Sequence, residues 1–379
     1  MNLNQLRPVY VVGVGWHRYQ PQSETSFVDL GLVPTRAALA DAGMDWSAVD
    51  TSYVGHAKLP MAAGRTILRH LGAHGNPLVH IENASASGSA AFRHACIEVA
   101  CGMAEVALAL GVDKPYPTLL AEGETGIKTL AEDAIVPFTH FALLANQYMS
   151  RNNASEDDIA RVAVKNHRNA SKNRNAHRQA ERSLAEVLGG RRIAGAFTAL
   201  QCCPVGEGGA AAILASERAI QTYGLDASRA VRVTASCARS QRLYEDDSRY
   251  DTFLTAETSA MALMEAGVKP HQVDVVELHD AFTVEELEYV EAMGLCGEGE
   301  AVQLLRDGAF DIGGRHAINP SGGLIAMGHP IGPTGVGQIA EIVLQLRGEA
   351  GSRQHANSRI GLAHMVGLGA VCYVHILQR

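Results

Sequence analysis

Apolar positions along the chain alternate between short continuous runs and longer amphipathic stretches. VYVVGVG (9–15) is an apolar run ending in glycines, which predicts a buried strand. SFVDLGLVPTRAALADAG (26–43) follows with helical spacing and a glycine stop at Gly43. VDTSYVGHA (49–57) predicts the next strand. This helix–turn–strand pattern returns later. ALADAGMDWSAVD (38–50) and ALMEAGVKPHQVD (262–274) share Ala, Leu, Ala, Gly, Val and Asp at a constant offset of 224 residues. A gapless match of that kind points to an internal duplication.

Two βα halves rich in buried strands predict an α/β fold with mostly parallel sheets covered by helices. The first half is expected over 1–222 and the second over 223–379, opening near AVRVTASCA (230–238). Within the first half, 113–200 lacks a βα rhythm and is expected to form a loop-domain insertion. It carries ARVAVKNHRNASKNRNAHRQAERS (160–183), dense in Lys, Arg, His and Asn. That stretch is either a solvated helical face or a basic lid over an anionic ligand.

Composition narrows the function classes. The 379 residues are 47% hydrophobic, enough for one large unit or two fused halves. The formal net charge of −8 and 5% aromatic content argue against nucleic acid as the partner. No run reaches the roughly 18 apolar residues of a membrane-spanning helix, and the first residues do not read as a signal peptide. Seven scattered cysteines, with no CxxC, fit a reducing cytoplasm. The 16 histidines are scattered along the chain, and no metal site is expected.

Three segments place polar residues in turns before helices: NASASG (83–88), VVELHDAFTVEELEYVEAMGLC (275–296) and NPSGGLIAMGHPIGPTG (319–335). Glycine turns let a ligand approach the backbone, and helix N-termini stabilise developing negative charge. NPSGGLIAMGHPIGPTG resembles the NxxGGxxxxGHPxGxxG signature of thiolases. HDAFT is similar to the form found in sterol-carrier-protein-type and archaeal thiolases. CCPVGEGGAAAILAS (202–216) and GLAHMVGLGAVCYVHIL (361–377) resemble further segments of that family, so the likeness covers nearly the whole chain.

The resemblance implies a duplicated thiolase fold of five layers, αβαβα, and an enzyme that makes or breaks carbon–carbon bonds of acyl-coenzyme A. It implies that His329 activates the nucleophile and that His279 helps hold the substrate enolate. The backbone N–H groups of Ser85 and Gly369 would hold the tetrahedral oxyanion, with Gly323 a further backbone contact. His56, His140 and His364 are candidate pocket residues. Lys165, His167 and Arg168 of the basic stretch are candidate ligands for the phosphates of coenzyme A. No covalently bound cofactor is implied; coenzyme A is substrate or product. A homodimer is implied, with the edge expected at NPLVHIENAS (76–85), and also a small zinc-ribbon/OB-fold partner subunit.

The resemblance also places Ser85 where thiolases carry the nucleophilic cysteine. A thiol with an ordinary pKa of about 8.5 is easily driven to thiolate, whereas a serine hydroxyl must lose its proton during attack. Three accounts stand open. Ser85 is an introduced Cys→Ser change that traps ligand in a thiolase or acyltransferase. Alternatively the pocket runs retro-aldol cleavage of a β-hydroxyacyl-CoA without an acyl-enzyme, or Ser85 is itself a nucleophile served by His329. Outside catalysis, a non-catalytic acyl-CoA-binding subunit is the competing class.

Overall fold

The computed structural model describes residues 3–115, 137–244, 249–367 and 371–379. Strand β1 (Val9–Gln20) leads into helix α1 (Phe27–Ala42), which starts where the Ser26 side chain accepts the Asp29 backbone N–H. The helix ends at Gly43, whose φ of 68° is the left-handed stop. Next come β2 (Thr51–Gly55), α2 (Ala63–Leu68), β3 (Leu78–Ile81), α3 (Ser87–Ala100) and β4 (Val106–Asp113). The insertion forms α4 (Pro137–Asn152), α5 (Glu156–Ala170), α6 (Leu184–Leu188) and the short pair β5 (Arg192–Ala194) and β6 (Phe197–Thr198). Strand β7 (Glu207–Ser216) and α7 (Glu217–Tyr223) follow.

The later part of the chain runs β8 (Val231–Ser240), α8 (Tyr250–Ala266), β9 (Val275–Glu277), α9 (Thr283–Ala292), α10 (Ala301–Arg306) and β10 (Ala317–Ile318). It closes with α11 (Gly323–Ala326), α12 (Ile331–Arg347), β11 (Ile360–Gly367) and β12 (Val371–Gln378).

Strand order makes the duplication visible. The order is β3-β2-β4-β7-β1 at one end and β10-β9-β11-β12-β8 at the other, the same arrangement twice. The two ladders join where β1 pairs with β8 over Val9–Val11. Each half has two parallel and two antiparallel pairings, in matching places. The mostly parallel expectation is therefore corrected to a mixed sheet. The last strand of each half re-enters antiparallel between two others, which the apolar runs could not reveal.

The aspartates of the sequence repeat do the same work in both halves. Asp50 Oδ2 accepts the N–H groups of Glu105 and Val106, where β4 begins. Asp274 Oδ2 accepts those of Arg359 and Ile360, where β11 begins. Gly267 ends α8 with the same φ of 68° as Gly43.

Three apolar clusters separate the layers. Leu30, Leu39, Ile67, Leu108 and Ile213 fill the space between α1–α2 and the first ladder. Phe92 and Val99 of α3 meet Val336, Ile339 and Val343 of α12 between the two ladders. Leu254, Leu263, Leu287 and Ile376 pack α8 and α9 on the second ladder. The result is a five-layered α/β fold, the arrangement that the resemblance implies. Two contacts set the central layer tightly on the first ladder. A Cβ at Gly332, in the first turn of α12, would lie 2.6 Å from the Gly55 carbonyl oxygen and 2.7 Å from that of Val112. A Cβ at Gly55 would lie 2.5 Å from the Ser87 carbonyl oxygen. Only glycine permits both approaches.

Candidate active site

Three loops converge at the ends of the strands: the β3–α3 loop with Ser85, the β9–α9 loop with His279, and the turn before α12 with His329. All three residues line one cavity of about 430 Å³. The Ser85 loop is tightly wound. Ala84 has φ +48°, uncommon for a residue with a side chain. Ser87 holds the turn, with its hydroxyl donating to the Ala84 carbonyl at 2.6 Å and accepting the Asn83 N–H at 2.9 Å.

Ser85 Oγ lies 2.9 Å from His329 Nε2. The other ring nitrogen fixes the tautomer. Thr334 Oγ1 donates its proton to the Pro330 carbonyl at 2.6 Å, so towards His329 it can only accept. His329 Nδ1, 2.9 Å away, must then carry the hydrogen. That leaves an Nε2 lone pair facing the Ser85 hydroxyl. Burial holds the His329 pKa well below the ordinary imidazole value, and the nearby His279 and Lys58 push the same way. The ring is therefore neutral and basic at Nε2 around neutral pH.

His279 stands edge-on to His329, with ring centroids 5.5 Å apart. Its Nδ1 contacts Glu285 Oε1 at 2.7 Å, and Glu285 Oε2 accepts the Phe282 N–H at 2.8 Å. The carboxylate orients the ring, leaving Nε2 for a ligand. Sequence reading missed Glu285, six residues after His279 in the same motif. It also missed Asp251, a buried carboxyl in the cavity wall that belongs to no motif.

Apolar and aromatic groups complete the cavity, among them Phe141, Tyr250, Phe282 and Val366. Cys203 also lines it; burial and the carboxyl groups of Glu285 and Asp280 push its thiol far above the ordinary range. Asp113 pins the rim by accepting the backbone N–H groups of Ala57, Lys58 and Gly332.

Several expected residues lie elsewhere. Gly369 lies outside the described residues. Gly323 is not at the cavity: it packs on the Asp280 carboxyl, and its N–H donates to Ser321 Oγ at 3.3 Å. His56 sits edge-on to His80, and His140 stacks on Tyr250 and stands edge-on to Phe141 behind the cavity wall. His364 is buried behind His279, accepting its backbone N–H at 3.5 Å and contacting Thr255 Oγ1 at 3.0 Å.

The coenzyme A assignment for the basic stretch is corrected. Lys165 is 2% exposed and pairs with Glu286 at 3.0 Å. Its Nζ also donates to Asn166 Oδ1 and the Ile318 carbonyl at 2.6 and 2.7 Å, which uses its three protons. His167 is 1% exposed, and burial lowers its pKa to about 4, so it brings no charge to a phosphate. Arg168 is engaged with Asp311 at 2.6 Å. The basic helix neutralises acids of the second half rather than forming a lid. Lys58, an exposed cation, stands at the cavity itself.

Among the described residues no helix is long and apolar enough to cross a membrane, and no cluster of three His, Cys, Asp or Glu side chains is arranged to hold a metal ion.

Comparison with known proteins gives a consistent answer. A family model described as thiolase, N-terminal domain, matches residues 17–184, and one described as thiolase C-terminal domain-like matches 236–379. Sterol carrier protein 2 of Homo sapiens is 36% identical over 98% of this chain and 72% of its own length. Benzoylsuccinyl-CoA thiolase subunit BbsB of Thauera aromatica is 35% identical over 96% of this chain and 95% of its own length. Among solved structures, the Ltp2-ChsH2(DUF35) aldolase superposes with a TM-score of 0.80 at 23% identity, covering 97% of both chains, a likeness of fold. Two family models over most of the chain, and relatives about 35% identical over nearly all of it, agree with the repeated strand order: this chain belongs to the thiolase superfamily.

Proposed function

We propose that this protein makes or breaks the bond between the α and β carbons of an acyl-coenzyme A thioester, and that its reaction is retro-aldol cleavage of a β-hydroxyacyl-CoA, or the reverse addition. The observation that carries this reading is the pairing of a neutral imidazole, His329, with a hydroxyl rather than a thiol. Thiolysis needs a thiolate to receive the acyl group. The thiol that the described residues bring to the cavity, Cys203, is held protonated by burial. By resemblance, Ser85 takes the place of the family's cysteine, and a serine ester is a poorer acyl donor to coenzyme A. Retro-aldol cleavage needs only a base for the hydroxyl proton and donors for the enolate oxygen. His279, backed by Glu285, is the donor on this reading. Substrate is bound as the coenzyme A thioester, with no other cofactor.

The test is to incubate the protein with 3-hydroxyacyl-CoA and with 3-oxoacyl-CoA plus coenzyme A. Release of an aldehyde or ketone from the first, with slow thiolysis of the second, is expected. Fast thiolysis without aldehyde or ketone release refutes it. A second reading, acyl transfer through Ser85, is favoured by the 2.9 Å contact with His329 Nε2. A covalent acyl adduct on Ser85, seen by mass spectrometry, would establish it.

We also propose a homodimer and a small partner subunit. Strand β3 ends the first ladder with Val79 43% exposed, an edge that is unpaired among the described residues and that a second copy would cover. The relative from Thauera aromatica is named as a subunit. Light scattering that shows a monomer refutes the dimer. Equal turnover by the lone chain and by its co-purified complex refutes a catalytic need for the partner.

A further inference from the structure

The cavity has a second polar end that the Ser85–His329 contact does not use. Asp251 lies in the first turn of α8 and lines the cavity beside Phe141, Tyr250 and Phe282. It is 3% exposed. Its Oδ1 accepts the Thr252 N–H at 3.0 Å and its Oδ2 accepts the Tyr289 hydroxyl at 2.8 Å. Among the described residues no Lys or Arg pairs with it. The Tyr289 oxygen is also 3.2 Å from Glu285 Oε1, which contacts His279 Nδ1 at 2.7 Å. A chain of close polar contacts, Asp251–Tyr289–Glu285–His279, therefore joins the two polar ends of the cavity behind its wall. An acid buried against aromatic rings without a cation is costly. The Thr252 N–H needs no acid, because a neutral side-chain oxygen accepts it as well.

We propose that Asp251 is a catalytic residue, the base that takes the proton from the hydroxyl on the β-carbon of the substrate, and that the cavity selects acyl chains carrying that hydroxyl among apolar substituents. The inference rests on the retro-aldol reading above. In the step, the β-hydroxyl O–H bond breaks and its proton passes to the Asp251 carboxylate. The freed electron pair forms the carbonyl, and the Cα–Cβ bond breaks. Its pair moves through Cα to the thioester oxygen as an enolate, facing His279. The enolate carbon takes one proton from solvent water and Asp251 returns one to solvent, so the protons balance and nothing is oxidised or reduced. Burial raises the Asp251 pKa above the ordinary carboxylate range, with the Glu285 charge adding to it and the Tyr289 hydroxyl and His140 opposing it. The ionised form is correspondingly a stronger base than an exposed carboxylate.

The test compares wild type with Asp251→Asn on a series of 3-hydroxyacyl-CoAs. Loss of kcat by about 10²-fold or more is expected, the scale of a lost general base, with KM changed less than about threefold. Cleavage by wild type and by Asp251→Asn at equal rates overturns the role of Asp251 and leaves retro-aldol cleavage standing. Failure of wild type to cleave any of the series overturns both. Should the variant not fold, inhibition of wild type decides. A 3-aminoacyl-CoA, whose ammonium pairs with the carboxylate, is expected to inhibit about tenfold more strongly than the saturated acyl-CoA of equal length, the gain of one charge-assisted hydrogen bond. Equal inhibition by the two overturns the proposal.

Discussion

Replacing Thr334 by valine removes one oxygen and keeps the shape of the side chain. In the native site the Thr334 hydroxyl is committed to the Pro330 carbonyl at 2.6 Å, so its oxygen receives the His329 Nδ1 hydrogen at 2.9 Å. Without that oxygen, a hydrogen on Nδ1 is left buried and unpaired, at a cost of about 1–3 kcal/mol. The competing tautomer carries the hydrogen on Nε2, where Ser85 Oγ can accept it. A shift of that size changes the tautomer ratio about 5- to 150-fold. His329 then presents a donor to Ser85 instead of a lone pair. Histidine labelled with ¹⁵N gives the tautomer directly from its nitrogen shifts: Nδ1–H is expected in wild type and Nε2–H in Thr334→Val. Turnover on whichever acyl-CoA substrate is active should fall about 10- to 100-fold, with the substrate KM little changed. An unchanged tautomer and an unchanged rate in the variant would refute the orienting role of Thr334 and the part that His329 Nε2 plays as acceptor for the Ser85 hydroxyl.

Ser85→Cys places a thiol against the same lone pair, and thiolysis of 3-oxoacyl-CoA should rise at least about 10²-fold, measured by loss of the 3-oxoacyl thioester. Lys165→Met strands Glu286 and should lower stability by about 3–5 kcal/mol in urea unfolding, while calorimetric coenzyme A affinity of the folded protein stays unchanged. His375 is fully buried with a pKa lowered to about 3, so the folded chain refuses a proton that the unfolded chain takes below about pH 6.5. Its stabilising effect is complete above that value and shrinks as pH falls towards 3. The stability gap between wild type and His375→Asn should therefore narrow by about 1.4 kcal/mol from pH 7.5 to 5.5; a constant gap contradicts a neutral His375. Gly332→Ala forces a methyl into the Gly55 and Val112 carbonyls and should abolish turnover or folding, whichever circular dichroism and assay detect first.

Local pattern carried much of this. Apolar runs, Gly43 and Gly267 marked the repeated helix–turn–strand unit, because burial and left-handed stops leave marks within a few residues. The GHP and HDAF segments carried His329 and His279 for the same reason. The strand senses were not legible, since β7 and β12 find their neighbours across distant stretches of sequence. The basic helix misled because its partners, Glu286 and Asp311, stand more than a hundred residues away. A charge run shows its sign in the sequence but not whether another element has already answered it. Asp251 had no motif at all; only the fold brings it to the cavity.

The glycine contacts at Gly55 and Gly332 separate position from chemistry. Helices α3 and α12 meet the strand ends backbone to backbone, so the spacing between the Ser85 loop and the turn before His329 is set by main-chain contacts, with Asp113 pinning Gly332, and not by the side chains that face the cavity centre. A substitution at Ser85 changes the reacting atom without moving the frame that holds it. Such a frame can pass from one reaction to another through single replacements, each step leaving a folded, ligand-binding protein. Diversity of chemistry within this fold is then expected to be written in a few cavity side chains, and to be retraceable in the laboratory one residue at a time.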